Sequence, residues 1–260
     1  VTEDLLQISA DGQVRTVHRE WVPEVPIAME YNGLSYAVMM ATPADLQDFA
    51  LGFAVAEGLA TRAPDLTHFS AVEVAAGWIM RASLAGVGQE KLQERVRNRI
   101  AESSCGLCGI ENLEALARPL PPVTPHGSIA PAAIFSALDG LRKLQPLGSS
   151  TRAAHAAALA APDGRIEMVR EDVGRHNAVD KLVGGALTAG ADLGSGFILS
   201  TARCSYEIVE KAARAGATTL VTISLPTSMA ISRARDAGLT LYCLARGDSV
   251  LLVNRGRRSV

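Results

Sequence analysis

The sequence predicts an α/β chain in two parts. Residues 1–125 read as a smaller α+β region, and residues 126–260 as an α/β region built on a mixed, partly parallel sheet with helices on both faces. Three observations predict this. From about Thr151 onward, short aliphatic runs alternate with segments of helical period. Before that point the chain reads as hairpins and one strongly apolar helix. Between the two, LPPVTPHGSIAP places four prolines within residues 120–131, which marks a linker or boundary.

Taken in order, VRTVHREWV and EVPIAMEY are strands by their Val, Ile and Tyr content. Asn32-Gly33 supplies the positive φ of a tight hairpin turn, and LSYAVMM returns from it. Thr42-Pro43 has the form of an N-cap followed by proline at the first helical position. Leu46, Phe49, Ala50, Phe53 and Ala56 then recur at helical spacing, with Gly58 as a candidate C-cap. SAVEVAA and WIMRASL flank Gly77 as a second hairpin. QEKLQERVRNRIAE is a charged amphipathic helix with Leu92, Val96 and Ile100 on one face. SSCGLCG is too rich in Ser and Gly for regular helix, so its cysteines sit on a loop leading into the helix IENLEALA.

Beyond the boundary, AAIFSALDGLRKL is a helix. AHAAALAA and RIEMVRED are strands joined by the turn Pro162-Asp163-Gly164. Helix NAVDKLVGGALTAG, strand FILSTA, helix SYEIVEKAARAG, strand TTLVTIS, helix SMAISRARDAG and strands LTLYCLA and VLLVN follow. Right-handed crossovers make such an alternation compact.

Composition narrows the function. Of 260 residues, 48% are hydrophobic and 20% charged, which excludes wholesale disorder. Aromatics at 4% predict an aliphatic core and no base-stacking platform. Twenty-five basic against 27 acidic residues leave no electrostatic footprint for nucleic acid, although a local cluster can still hold one small anion. No run approaches ~18 apolar residues, so no membrane span is expected. The opening VTEDLLQISADGQ lacks the layout of a secretory signal, and four cysteines do not make a disulfide framework. Both features lead to the expectation of a reducing, cytoplasmic setting.

Two stretches can carry chemistry. In Cys105-Gly106-Leu107-Cys108-Gly109, two thiols sit on a loop before a helix start, a setting that favours thiolate. A redox disulfide, half a zinc site and a persulfide carrier all fit it. Zinc needs about four ligands, and Cys204 and Cys243 are distant singletons. His18-Arg19-Glu20 followed by C-x-x-C imitates the zinc-deaminase pattern, but Ser104 replaces its proline, so His18 reads as a solvated strand histidine. The second stretch, Arg170 to Lys181, runs from a strand end through a Gly turn into a helix start, a setting suited either to an anion or to plain capping. There Arg175 and Lys181 are candidate charges and His176 a candidate hydrogen-bonding group. Other polar groups at strand ends are Arg203 and Ser205, Pro226 and Thr227, and Leu244, Ala245, Arg246, Gly247, Asp248 and Ser249. His155 reads as a core histidine, and His68 and His126 as loop residues.

With EVPIAMEYNG, ATPADLQDFALGF, CGLCG, HAAAL, REDVGRHNAVDKL, SYEIVEKA after Arg203, and GLTLYCLARG in order, the chain resembles the formate dehydrogenase accessory sulfurtransferases, the FdhD/NarQ family. Ser150–Ala154 and Ala202 depart locally from that pattern. The resemblance implies a cytidine-deaminase-like larger domain, without deaminase chemistry, and a homodimer. It implies that a cysteine desulfurase loads sulfur onto Cys105 as a persulfide, with Cys108 as helper or relay. The sulfur then passes to the molybdenum cofactor, a bis-molybdopterin guanine dinucleotide bound as substrate, for formate dehydrogenase. Leu244 to Ser249 match the cofactor-binding stretch, and Arg175, His176 and Arg203 are the further polar contacts expected of the strand ends. GDP or a similar guanine nucleotide is an expected occupant of that site. The expectation is therefore a sulfurtransferase enzyme. The alternatives are a non-catalytic chaperone for the molybdenum cofactor and a zinc-dependent nucleoside deaminase.

Overall fold

The computed structural model describes residues 2–90, 92–94 and 119–257. Strands β1 (Thr2–Ile8) and β2 (Val14–Glu20) form an antiparallel ribbon. Strands β3 (Val25–Tyr31), β4 (Leu34–Ala41), β5 (Leu66–Val74) and β6 (Gly77–Leu84) form a four-stranded sheet in the order β4-β3-β6-β5, antiparallel except for the parallel β3–β6 pair. At the β3–β4 turn Asn32 and Gly33 have φ of 49° and 79°, the pair of positive values a type I′ turn requires. Helix α1 (Leu46–Ala56) covers this sheet with Phe49, Phe53 and Ala50, and Gly58 follows it at φ 67°.

The second sheet has the order β12-β11-β10-β9-β7-β8. Its strands are β7 (His155–Ala160), β8 (Ile166–Asp172), β9 (Phe197–Ser200), β10 (Thr219–Thr222), β11 (Thr240–Cys243) and β12 (Leu251–Asn254). Strands β9, β10 and β11 are parallel and the other pairings antiparallel, which makes the sheet mixed and partly parallel, as expected. Along β7 the two-residue period divides the core. Ala156, Ala158 and Ala160 face α2 (Pro131–Lys143), whereas Ala157 and Leu159 face the opposite cluster. That cluster takes in α4 (Arg175–Thr188), α5 (Tyr206–Arg214) and α6 (Ser228–Ala237). Helices thus cover both faces, and a short α3 (Pro146–Thr151) lies beside β2. No helix among the described residues is long and apolar enough to cross a membrane.

The two sheets share one apolar core through the contact of α1 with α4. Glycines permit it. A β-carbon on Gly52 would stand 1.7 Å from the Asp180 carbonyl oxygen, and one on Gly184 would stand 1.9 Å from that of Asp48. The helix backbones therefore touch where the glycines face each other.

Several local expectations are corrected. Thr42 does not cap α1; the N-cap is Asp45, in left-handed conformation at φ 52°. Thr42 is buried and bonded to distant groups described below, so tertiary contacts override the local capping signal. His68 lies in β5 rather than a loop. The proline-rich segment is pinned rather than free: Leu120 and Val123 are buried, and Val123 N–H and His126 N–H donate to the carbonyls of Ala237 and Arg257. The start of the QEKLQERVRNRIAE segment, residues 89, 90 and 92–94, is helical; its remainder and SSCGLCGIENLEALA lie outside the described residues.

Candidate functional site

The polar groups expected at strand ends share one edge of the six-stranded sheet. Parallel pairing of Thr222 with Ser200, and of Val221 with Tyr242, puts the C-terminal ends of β9, β10 and β11 on that edge. Antiparallel pairing of Ala157 with Ser200, and of His155 with Asp172, brings the start of β7 and the end of β8 there too. Crevices at such edges are where open α/β sheets hold ligands.

The stretch from Arg170 to Lys181 divides into two jobs. Most of it is a clamp between the two halves of the molecule. Arg170 pairs with Asp48 of α1 at 2.7 Å, and Glu171 accepts from Leu147 N–H and Gly148 N–H at the start of α3. Asp172, fully buried, accepts from Thr42 N–H, Gly174 N–H and Asn177 Nδ2, and pairs with Lys181 Nζ at 2.6 Å. Lys181 also donates to the Thr42 carbonyl, and Val173 N–H donates to Thr42 Oγ1. Asp180 is gripped by Lys211 of α5 at 2.7 and 2.8 Å; burial pushes its carboxyl up despite that partner. Lys181, a candidate ligand-binding charge from sequence, is therefore withdrawn from any site: its side chain is wholly buried and spent inside the clamp.

Only Arg175 and His176 of this stretch turn toward the edge. They form the first turn of α4, whose N-cap Gly174 leaves no side-chain cap there. Arg175 Nε is buried without a hydrogen-bond partner, and so is Ser205 Oγ. His176 Nε2 lies 2.9 Å from Glu207 Oε2, at ion-pair distance though poorly aligned for a hydrogen bond. The His176 ring holds the Glu207 carboxyl below its usual range against the opposing effect of burial. Unsatisfied buried donors are costly, and an anion is the ligand that satisfies a guanidinium and a hydroxyl together.

His155 belongs to this cluster, which the sequence reading placed in the core. It is half-buried, with Nδ1 3.5 Å from Thr201 Oγ1. Burial lowers its pKa; Thr201 opposes that, and Arg175, His176 and Arg203 add repulsion. Four basic side chains from three segments thus lie within electrostatic reach of one another at the β7–β9 end of the edge. His155 opens the HAAAL motif and Glu207 lies within SYEIVEKA, yet neither motif by itself says which of its residues face a site; Thr201 lies in neither motif.

Leu244–Ser249 form the loop after β11. Leu244 N–H donates to Ser224 O and Ala245 N–H to Thr222 O, and the Ala245 side chain is core. Arg246 N–H closes a turn onto Ser249 O, leaving Arg246, Gly247, Asp248 and Ser249 exposed at its tip. Arg203 and Arg246 make no ion pair among the described residues. From β7 and β9 to β11 is two to three strand spacings, roughly 10–14 Å at ~4.8 Å each, a span suited to a nucleotide. Thr227 has a different role: it is the N-cap of α6, its Oγ1 accepting from Ala230 N–H. His18 is exposed on β2 beside Asp4, a solvated strand histidine as read from sequence. Cys105 and Cys108 lie outside the described residues.

Of the two cysteines read as distant singletons, Cys204 follows β9 and bridges to Pro226, and Cys243 ends β11 with its Sγ accepting from Thr222 Oγ1 at 3.4 Å; both are buried.

Comparison with known proteins agrees with the resemblance read from the motifs. The chain is 43% identical to the sulfur carrier protein FdhD of Xanthomonas euvesicatoria pv. vesicatoria over 249 residues, 95% of this chain and 88% of that one. It is 43% identical to the sulfur carrier protein FdhD of Cupriavidus necator over 238 residues, 92% of this chain and 83% of that one. Its fold matches the crystal structure of a formate dehydrogenase accessory protein from Desulfotalea psychrophila with a TM-score of 0.74 at 24% identity, covering 98% of this chain and 96% of the other. The family model described as FdhD/NarQ matches residues 22–259, and the chain belongs to that family.

Proposed function

We propose that this protein is a sulfur carrier that takes persulfide sulfur from a cysteine desulfurase and delivers it to the molybdenum cofactor destined for formate dehydrogenase. The carrying observation is the near-full-length similarity to sulfur carrier proteins in a chain that itself contains CGLCG. Cys105 is the nucleophile. Its thiolate attacks the outer sulfur of the desulfurase persulfide, the S–S bond there breaks, and the desulfurase cysteine leaves as thiolate. Cys108 is the relay or resolving thiol. The sheet edge is the platform for the guanine-nucleotide end of the molybdenum cofactor, which is cargo here. Arg175, His176 and Arg203 meet phosphate oxygens at one end, and Leu244 to Ser249, through Arg246 and the Gly247 backbone, bind at the other. The partnerless Arg175 Nε and Ser205 Oγ fit a phosphate ligand.

Cys105→Ala is expected to abolish sulfur loading while leaving guanine-nucleotide binding unchanged. Intact-protein mass spectrometry after incubation with a desulfurase and cysteine checks it: a gain of one sulfur atom that persists in the variant refutes the assignment of Cys105. For the platform, saturation with GDP is expected to raise the pKa of His155. Burial is the larger cause of its lowered pKa, and an anion among its neighbouring cations offsets the added repulsion from Arg175, His176 and Arg203. An NMR titration of the His155 imidazole with and without GDP reads this directly, and an unchanged pKa places the phosphates elsewhere.

A further inference from the structure

Glu207 stands inside the candidate edge with no part in the function proposed above. Among the described residues four buried side-chain polar atoms lack a hydrogen-bond partner, and three of them are Arg175 Nε, His176 Nε2 and Ser205 Oγ. Arg175 and His176 open α4, and Ser205 is the N-cap of α5, where its hydroxyl caps nothing. The pair of His176 with Glu207, two residues past Ser205, ties the two helix starts together.

Glu207 brings a carboxylate to these donors. Its Oε2 lies 2.9 Å from His176 Nε2, yet the approach is too poorly aligned to satisfy that nitrogen. The side chain is 45% exposed, so it can turn into solvent without disturbing the core. His176 above all, with Lys211 and Arg175 adding to it, holds the carboxyl below its usual range against burial, so it is ionised at neutral pH. The dipole of α5 favours an acidic residue in its first turn but does not direct that residue's oxygen across to α4.

We propose that Glu207 is the resident counter-anion of this cluster, a specificity-determining carboxylate that an incoming phosphate displaces from His176. The inference rests on the reading of the sheet edge as a nucleotide platform. A phosphate group offers several oxygens in a tetrahedral array and can accept from imidazole, guanidinium and hydroxyl together. It therefore satisfies donors that one misaligned carboxylate leaves open. A planar anion of single charge gains less in that exchange, and a neutral nucleoside gains nothing. Glu207 thus offsets the positive charge of the empty site and reserves it for phosphate groups of higher charge.

The test is isothermal titration calorimetry of the full chain and its Glu207→Gln variant with inorganic pyrophosphate, GDP and guanosine. Glutamine keeps the shape and removes the like charge, and one unit charge at ~4 Å in water is worth about fivefold in affinity. Glu207→Gln is expected to bind pyrophosphate and GDP about fivefold tighter or more, with guanosine unchanged. Pyrophosphate binding gained by the variant alone would support the inference as well. A merely structural role, in which Glu207 orients His176, gives the opposite sign. A parent that binds GDP beside a folded variant that binds it equally or more weakly would overturn the inference and leave the platform standing. An equal gain for guanosine would also overturn it, since charge would not be the cause. Failure of both proteins to bind pyrophosphate or GDP would remove the platform and this inference together. Should the glutamine variant fail to fold, Glu207→Ala carries the same expected gain and the same tests.

Discussion

Replacing Lys181 by methionine is expected to destabilise the protein by about 3–5 kcal/mol, because it leaves a carboxylate buried with its counter-charge removed. Asp172 and Lys181 are both wholly inaccessible, and their ion pair is 2.6 Å long. Methionine keeps much of the stem volume, so packing changes little and the loss is electrostatic. Thr42 N–H, Gly174 N–H and Asn177 Nδ2 still donate to Asp172, which limits the damage, and the Thr42 carbonyl loses one of its two donors while keeping Ala44 N–H. Domains of this size shift by ~2–4 °C per kcal/mol, so the midpoint of thermal unfolding should fall by roughly 6–20 °C. Adding Asp172→Asn should restore part of the loss, since a neutral amide tolerates burial better than an unpaired carboxylate. A Lys181→Met variant that melts with the parent would show that the clamp contributes nothing net.

A comparable loss is expected of Gly184→Ala, and here two effects compete. Alanine favours helix over glycine by ~1 kcal/mol. Against this, its methyl group would occupy a point 1.9 Å from the Asp48 carbonyl oxygen, with the Asp48 carbon atoms under 3 Å. The obstacle is helix backbone, so α1 and α4 must separate, and the large apolar side chains of α1 must lose contact with them. Overpacking of this kind costs ~1–3 kcal/mol where side chains can yield. With backbone on both sides, the upper end of that range or more is expected, well beyond the propensity gain. Urea unfolding followed by far-UV circular dichroism gives the sign: a variant as stable as the parent would mean that the helices do not cross at these glycines.

Both predictions concern contacts between segments far apart in the chain, and this separates what was legible from what was not. Element order was readable because it is periodic and local. The β7–β8 hairpin with its Pro-Asp-Gly turn, the α4, α5 and α6 helices and the parallel strands between them all lie where period and turn chemistry put them. Where a local rule failed, a distant partner was responsible. Thr42-Pro43 has the form of a helix start, yet Asp172, Val173 and Lys181 claim every polar group of Thr42 left free by Pro23.

The site was legible in part for the same reason. Arg175, His176, Arg203 and the Leu244–Ser249 loop could be nominated because each follows a strand end, which sequence can locate. Lys181 could not be told from Arg175: one helical turn and a half separates a charge facing the crevice from one sealed in the core. His155 stands before a run of alanines that reads as core strand.

By itself, then, the sequence determined the family, the order of the elements and the CGLCG thiols, because motifs and periodicities are properties of contiguous residues. Only the tertiary structure decided which charges of the REDVGRHNAVDK stretch are spent in the clamp and which lie toward the sheet edge, and that His155 joins the latter. Those outcomes depend on burial and on distances across neighbouring strands, and a linear order of residues encodes neither directly.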